Sequence, residues 1–79
     1  MQLYTKFGNE PANQEVIRGV FVSYGTNIAE EIDGVMTLDK YYWDYSVTTG
    51  YYRNQFLGEG ISDTRKKIAS GEYKLADLN

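Results

Sequence analysis

The dipeptide Asp33-Gly34 constrains the fold of this chain more than any other pair of residues. It separates two short alternating runs, Ile28–Ile32 and Val35–Leu38. Asp-Gly favours a two-residue β-hairpin, because a type I′ turn needs positive φ at both central positions. Strict alternation then puts Ile28, Glu30 and Ile32 on one face of the first strand, and Val35, Thr37 and Asp39 on one face of the second. The competing reading makes Asn27–Ile32 a helical turn capped by Thr26 or Asn27. The hairpin is favoured.

Other segments fall around it. Gln2–Phe7 alternates and reads as a short strand, followed by a loop over Gly8–Gln14 that holds the single proline, Pro11. Val16–Tyr24 is apolar on both faces, which predicts one central strand covered on each side and ended by Gly25. Tyr41–Ser46 reads as a strand by propensity. Val47–Gly50 reads as a turn, with Thr48 or Thr49 capping a helix through Tyr51–Leu57. Tyr52, Phe56 and Leu57 give that helix its apolar side, and Gly58 suits its C′ position. The alternative is a hairpin with 51–57 as its second strand. Ser62 begins a last helix, with Asp63 in the first turn and Arg65, Lys66 and Lys67 later, as the macrodipole favours. Gly71 ends it, and Tyr73, Leu75 and Leu78 are placed to pack a tail onto the core. The expected fold is α+β: one domain, residues 1–79, with a small, mostly antiparallel sheet of three to five strands and one or two short C-terminal helices.

The same residues exclude most chemistry. There is no cysteine and no histidine, which removes thiolate sites, disulfides, the commonest metal ligand and the commonest general base. Glu30 and Glu31 point to opposite faces of a strand, and Asp39 and Asp44 also diverge, so no facing carboxylate pair arises. No calcium-loop or phosphate-loop pattern is present; Phe56–Gly60 has two glycines but no P-loop lysine. We therefore expect no enzyme, no catalytic residue, no cofactor, no metal and no small-molecule substrate. The longest apolar run, Val20–Val22, is far short of a membrane span. Met1–Phe7 lacks the apolar core of an export signal, so a cytoplasmic location is expected.

Binding remains. The chain carries 11 acidic and 8 basic residues, a net charge of −3. That balance disfavours a broad duplex-binding face and suits a protein partner with a basic surface. Tyr41, Tyr42, Trp43, Tyr45, Tyr51 and Tyr52 crowd into twelve residues. A strand would send alternate rings to opposite sides, so they cannot all be core. Trp43 is the costliest ring to leave wet, which sends Tyr41, Trp43 and Tyr45 inward and Tyr42 and Asp44 outward. The expected partner-binding residues are Asp39, Tyr42, Asp44, Tyr51, Tyr52 and Arg53. Arg65-Lys66-Lys67 reads as a solvated helix face. The alternative is a local anion site with Arg53 and Lys74.

Ser23-Tyr24-Gly25-Thr26-Asn27-Ile28-Ala29 and Tyr45-Ser46-Val47-Thr48-Thr49 carry a resemblance. The pattern resembles small proteins of tailed phages in which an SYxTxIA strand precedes a YSxTT turn opening into a helix. It departs from that pattern at Tyr51 and Tyr52, where a basic residue or histidine would be expected. In general character the chain also resembles phage anti-defence proteins such as anti-CRISPRs. The likeness implies a viral accessory origin, and the function expected first is a non-enzymatic inhibitor in the infected host cell, docking on a host defence protein and blocking its nucleic-acid site. Acidic side chains would enter a basic groove while exposed aromatics anchor the contact. The alternatives are a small nucleic-acid-binding regulator using tyrosine stacking with Arg53, Arg65 and Lys66, and a virion or assembly component.

Overall fold

The computed structural model describes residues 13–79, so the strand expected over Gln2–Phe7 and most of the loop after it lie outside the described residues. Four antiparallel strands follow one another: β1 (Gln14–Ile17), β2 (Val20–Ser23), β3 (Thr26–Ile32) and β4 (Val35–Asp39). Two helices come next, α1 (Val47–Leu57) and α2 (Ile61–Ser70). Strand β5 (Lys74–Ala76) then returns parallel to β4, completing a five-stranded sheet in the order β1-β2-β3-β4-β5. The α+β expectation holds, with one strand placed after the helices.

Asp33-Gly34 is the expected hairpin turn. Asp33 has φ 53° and Gly34 φ 81°, and Ile32 pairs with Val35 across it. The helical reading of 27–32 is therefore excluded. Arg18 (φ 53°) and Gly19 (φ 86°) form another such turn, so Val16–Tyr24 is not one central strand but the second half of one hairpin arm, a turn and the next arm. The run is apolar on both sides because Val16 and Phe21 are cross-strand partners in the same buried row. That row continues from Phe21 to Ala29 and from Ala29 to Leu38.

Alternation along β3 is also broken. Phe21 pairs with Ala29 and Val22 with Asn27, which makes Ile28 the extra residue of a β-bulge. Consecutive residues Ile28 and Ala29 are both fully buried, while Ile32 at the strand end is exposed. Ile28 and Ile32 thus do not share a face as strict alternation predicted.

The core is Phe21, Ile28, Ala29 and Leu38, with Trp43, Tyr52, Phe56, Leu57, Ile68 and Tyr73 packed against it. Phe21 and Phe56 stack at 5.7 Å between ring centroids, which docks α1 on the sheet. A buried hydrogen bond between the hydroxyls of Ser23 and Thr49 (2.8 Å) fixes the helix's first turn to β2. The expected apolar side of α1 is in place, and 51–57 is helix, not strand. The helix begins earlier than expected. Val47–Gly50 is its first turn, and Ser46, not a threonine, is the N-cap: its hydroxyl accepts the Thr49 N–H at 3.1 Å. Gly58 closes it in the left-handed region, and Gly71 closes α2 the same way.

Candidate functional site

The aromatic segment after β4 is not a strand. Asp39 ends β4 with its side chain fully buried, and its carboxylate turns the backbone. Oδ2 accepts the N–H groups of Tyr41 (3.0 Å) and Tyr42 (2.9 Å), while the Asp39 carbonyl accepts the Trp43 N–H (3.0 Å). A buried acceptor at that position offers these donors an alternative to ladder pairing, and it overrides the β-propensity of Tyr-Tyr-Trp. On its other side, Oδ1 accepts the Leu78 N–H (2.8 Å) and the Asn79 side-chain amide (3.1 Å). Burial alone would push the Asp39 carboxyl up. The N–H donors of Leu78, Tyr41 and Tyr42 and the Asn79 amide outweigh it and hold the group below its ordinary value.

The next turn is held from α1. Arg53 is buried, with only 2% of its surface exposed. Its Nη1 donates to the Trp43 carbonyl (2.8 Å) and to Asp44 Oδ1 (3.0 Å), and its Nη2 donates to Asn54 Oδ1 (3.0 Å). Gly50 leaves room for this guanidinium: a Cβ there would stand 3.4 Å from Nη2. From α2, Arg65 Nη2 donates to the second oxygen of Asp44 (3.0 Å). Both guanidinium groups lie over the Trp43 ring, at 5.3 and 5.5 Å from its centroid. Trp43 and Asp44 are thus fastened between two arginines.

Fixed at both ends, the segment displays tyrosines. Tyr41, Tyr42, Tyr45 and Tyr51 are all exposed, Tyr41 by 64% and Tyr51 by 61%. Tyr42 meets Tyr41 edge-on at 6.4 Å and Tyr45 at 5.5 Å. Lys40 lies over the Tyr41 ring at 5.1 Å. Beside Tyr45 and Tyr51, an open groove of about 590 Å³ runs between the start of α1 and α2.

Of the six residues expected to bind a partner, Tyr42 and Tyr51 are displayed, and Asp44 sits at the rim with both oxygens paired. Tyr52 is half-buried against the core. Asp39 and Arg53 are not rim residues: each is buried because the backbone groups of the loop use its charge. Tyr41 and Tyr45, expected to face inward beside Trp43, are exposed, because a turn does not sort residues by alternation. The signal for this was Asp39 itself, a residue type that readily closes a turn over the next few N–H groups. Arg65 and Lys66 are exposed on α2, as the solvated-face reading expects, and three cations of the alternative anion site have acidic partners within the chain. Arg53 is buried, Arg65 is paired with Asp44, and Lys67 is paired with Glu59 at 2.6 Å. Among the described residues, no group of three or more acidic side chains is placed to hold a metal ion. None of their helices is long and apolar enough to cross a membrane.

Residues 2–73 match the model of DUF8033, described as a family of unknown function. The chain belongs to the DUF8033 family. No significant match is found among curated proteins or among solved structures. The DUF8033 match takes in the tyrosine loop and both helices, and ends at Tyr73, just before β5. In this DUF8033 member, Leu78 and Asn79, which complete the Asp39 network, stand outside the matched residues.

Proposed function

We propose that this chain is a non-enzymatic protein-binding module that docks on a partner through Tyr41, Tyr42, Tyr45 and Tyr51. The carrying observation is that Tyr41, Tyr42 and Tyr45 are exposed on a loop pinned by two buried charged side chains, Asp39 and Arg53, with the exposed Tyr51 of α1 sharing a groove with Tyr45. Tyrosine is enriched at interfaces, and its large ring contributes most where the free state is already ordered. The absence of histidine and cysteine from the sequence and the internal pairing of Asp39, Asp44 and Glu59 support a non-enzymatic role. The resemblance to tailed-phage proteins supports a host protein as the partner and inhibition of a host defence component, in the manner of anti-CRISPRs, as the outcome. Asp39 and Asp44 do not supply the acidic probes of such an inhibitor, because their oxygens are engaged within the chain.

The nucleic-acid reading is less well supported, since Arg53 and Arg65 are committed to Asp44 and the loop. The test is capture of a partner from bacterial host lysate, followed by alanine substitution of the four tyrosines. Thermal unfolding and partner binding are read on each variant. Tyr41→Ala and Tyr51→Ala are expected to keep the melting temperature of the parent and to weaken binding by about 2 kcal/mol at a hot spot. Binding unaffected by all four substitutions would refute the docking surface. Tight oligonucleotide binding that falls steeply with salt would favour the regulator instead.

A further inference from the structure

We infer that the groove between the start of α1 and α2 is the anchor point for a carboxylate side chain on an acidic peptide segment of the protein partner. This rests on the reading of the tyrosine face as a docking surface, and it gives that surface a chemical preference.

The charge of the groove points this way. Its lining includes two arginines, Arg53 and Arg65, and one acid, Asp44. Asp44 spends one oxygen on each arginine. A surplus positive charge is left in the groove of a chain whose net charge is −3. Arg53 is buried, with its Nη groups committed to the Trp43 carbonyl, Asp44 and Asn54, so the surplus is presented by Arg65, whose side chain is 62% exposed. Arg65 is already oriented: Asp44 holds one Nη and the Trp43 ring lies beneath the guanidinium at 5.5 Å. A guanidinium has five donors, and only one of these is committed to Asp44. A planar fork held in place suits a carboxylate, which it can meet with two parallel bonds. The positive end of the α1 dipole opens on the same groove through Ser46 and Val47.

The walls suit a peptide. Tyr45 and Tyr51 are exposed rings, and Ile61 adds an apolar wall opposite. Val47 is 91% exposed on the first turn of α1, an apolar lip at the groove edge. A carboxylate flanked by aromatic or aliphatic side chains would satisfy Arg65 and cover these surfaces together. A nucleic-acid backbone fits less well. It asks for several free cations along a track, and here Arg53 is buried and Lys67 is bound to Glu59.

The probe is a displayed library of random dodecapeptides selected against the intact protein. The expected peptides carry Asp or Glu beside aromatic or aliphatic residues. Changing that acid to its amide in a selected peptide raises Kd about tenfold at low salt, as expected for a lost bond to a charged group. Arg65→Gln removes this discrimination, so that acid and amide peptides bind alike. Arg65→Lys keeps the charge without the fork and retains part of the discrimination. Tyr51→Ala weakens both peptides together. A selected motif without an acid, or full discrimination surviving in Arg65→Gln, overturns the carboxylate anchor and leaves the docking surface standing. Selection of no peptide sensitive to Tyr51→Ala overturns both. A twelve-residue oligothymidylate that binds more tightly than any selected peptide overturns the peptide as ligand.

Discussion

Asp39→Asn tests the reasoning about the tyrosine loop most directly. The substitution keeps the shape and removes the charge and half of the acceptor capacity. The carboxylate accepts four N–H bonds, two on each oxygen. An asparagine can aim its one carbonyl oxygen at Tyr41 and Tyr42, or at Leu78 and Asn79, but not at both pairs. Its NH2 then faces the two remaining donors. Asn79 cannot turn its own amide to help, because its Oδ1 already accepts the Asn27 N–H at 2.9 Å. Two bonds to a charged group are lost, each worth about 1.5–3 kcal/mol, which gives a cost of roughly 3–6 kcal/mol. For a domain of this size that lowers Tm by roughly 12 °C or more. The pH dependence has a definite sign. The folded carboxyl titrates below its ordinary value, so its contribution is complete above the unfolded pKa of about 3.9 and is lost as pH falls through the folded value. Asp39→Asn should flatten the stability profile in that acid window. The assay is thermal unfolding across pH 2–7, with amide exchange at Tyr41, Tyr42 and Leu78. A variant melting within about 4 °C of the parent, with exchange unchanged at those amides, would refute the view that this carboxylate holds the loop.

Three further outcomes follow from the same structure. Ser46→Ala removes the N-cap of α1 and should cost about 0.5–2 kcal/mol in chemical denaturation, whereas Thr48→Ala, at an exposed position without a capping role, should fall within about 0.5 kcal/mol of the parent. Gly34→Val places a β-branched residue at φ 81° and should cost about 1–3 kcal/mol; a parent-like melt would contradict the turn geometry. Glu59 accepts Lys67, Tyr73 and Thr64, and despite its burial these bonds, the one from Lys67 foremost, hold its carboxyl below the ordinary value. Glu59→Gln should therefore lose stability at neutral pH and converge on the parent as pH falls below about 4, since the parent's advantage disappears with protonation.

Some local features of the fold were legible, and the long-range ones were not. Asp33-Gly34 declared its turn because the dipeptide and both flanking runs agree. Arg18-Gly19 did not: the pair interrupts Val16–Tyr24, but arginine is an ordinary surface residue and the apolar positions resume at once on the other side. The aromatic segment was misread for a different reason. Its propensity is that of a strand, and the nearby Asp39 carboxylate overrules it by taking the Tyr41 and Tyr42 N–H groups; the groups that hold this arrangement come from far along the chain, Leu78 and Asn79 reaching back to Asp39 and Arg53 reaching from α1. Arg53 itself had the look of a rim charge. Only the fold shows that the Trp43 carbonyl, Asp44 and Asn54 surround it. The display of tyrosine was foreseen, but which rings are displayed depended on a turn that alternation cannot describe.

The order of the strands also bears on how fast the molecule forms. Strands β1 to β4 are joined by three two-residue turns, so each pairing closes a very short loop. The parallel pairing of β5 with β4 is different, because the whole of residues 40–73 lies between them. Its chain-closure entropy must be met before any of its contacts form. The meander is then the natural nucleus, and β5 with the Asp39–Leu78–Asn79 contacts is a late arrival. Gly34→Val should accordingly slow refolding, while Asp39→Asn should accelerate unfolding and leave the refolding rate nearly unchanged. A stopped-flow chevron for Asp39→Asn displaced along its folding arm would place the last strand in the transition state and reverse that order.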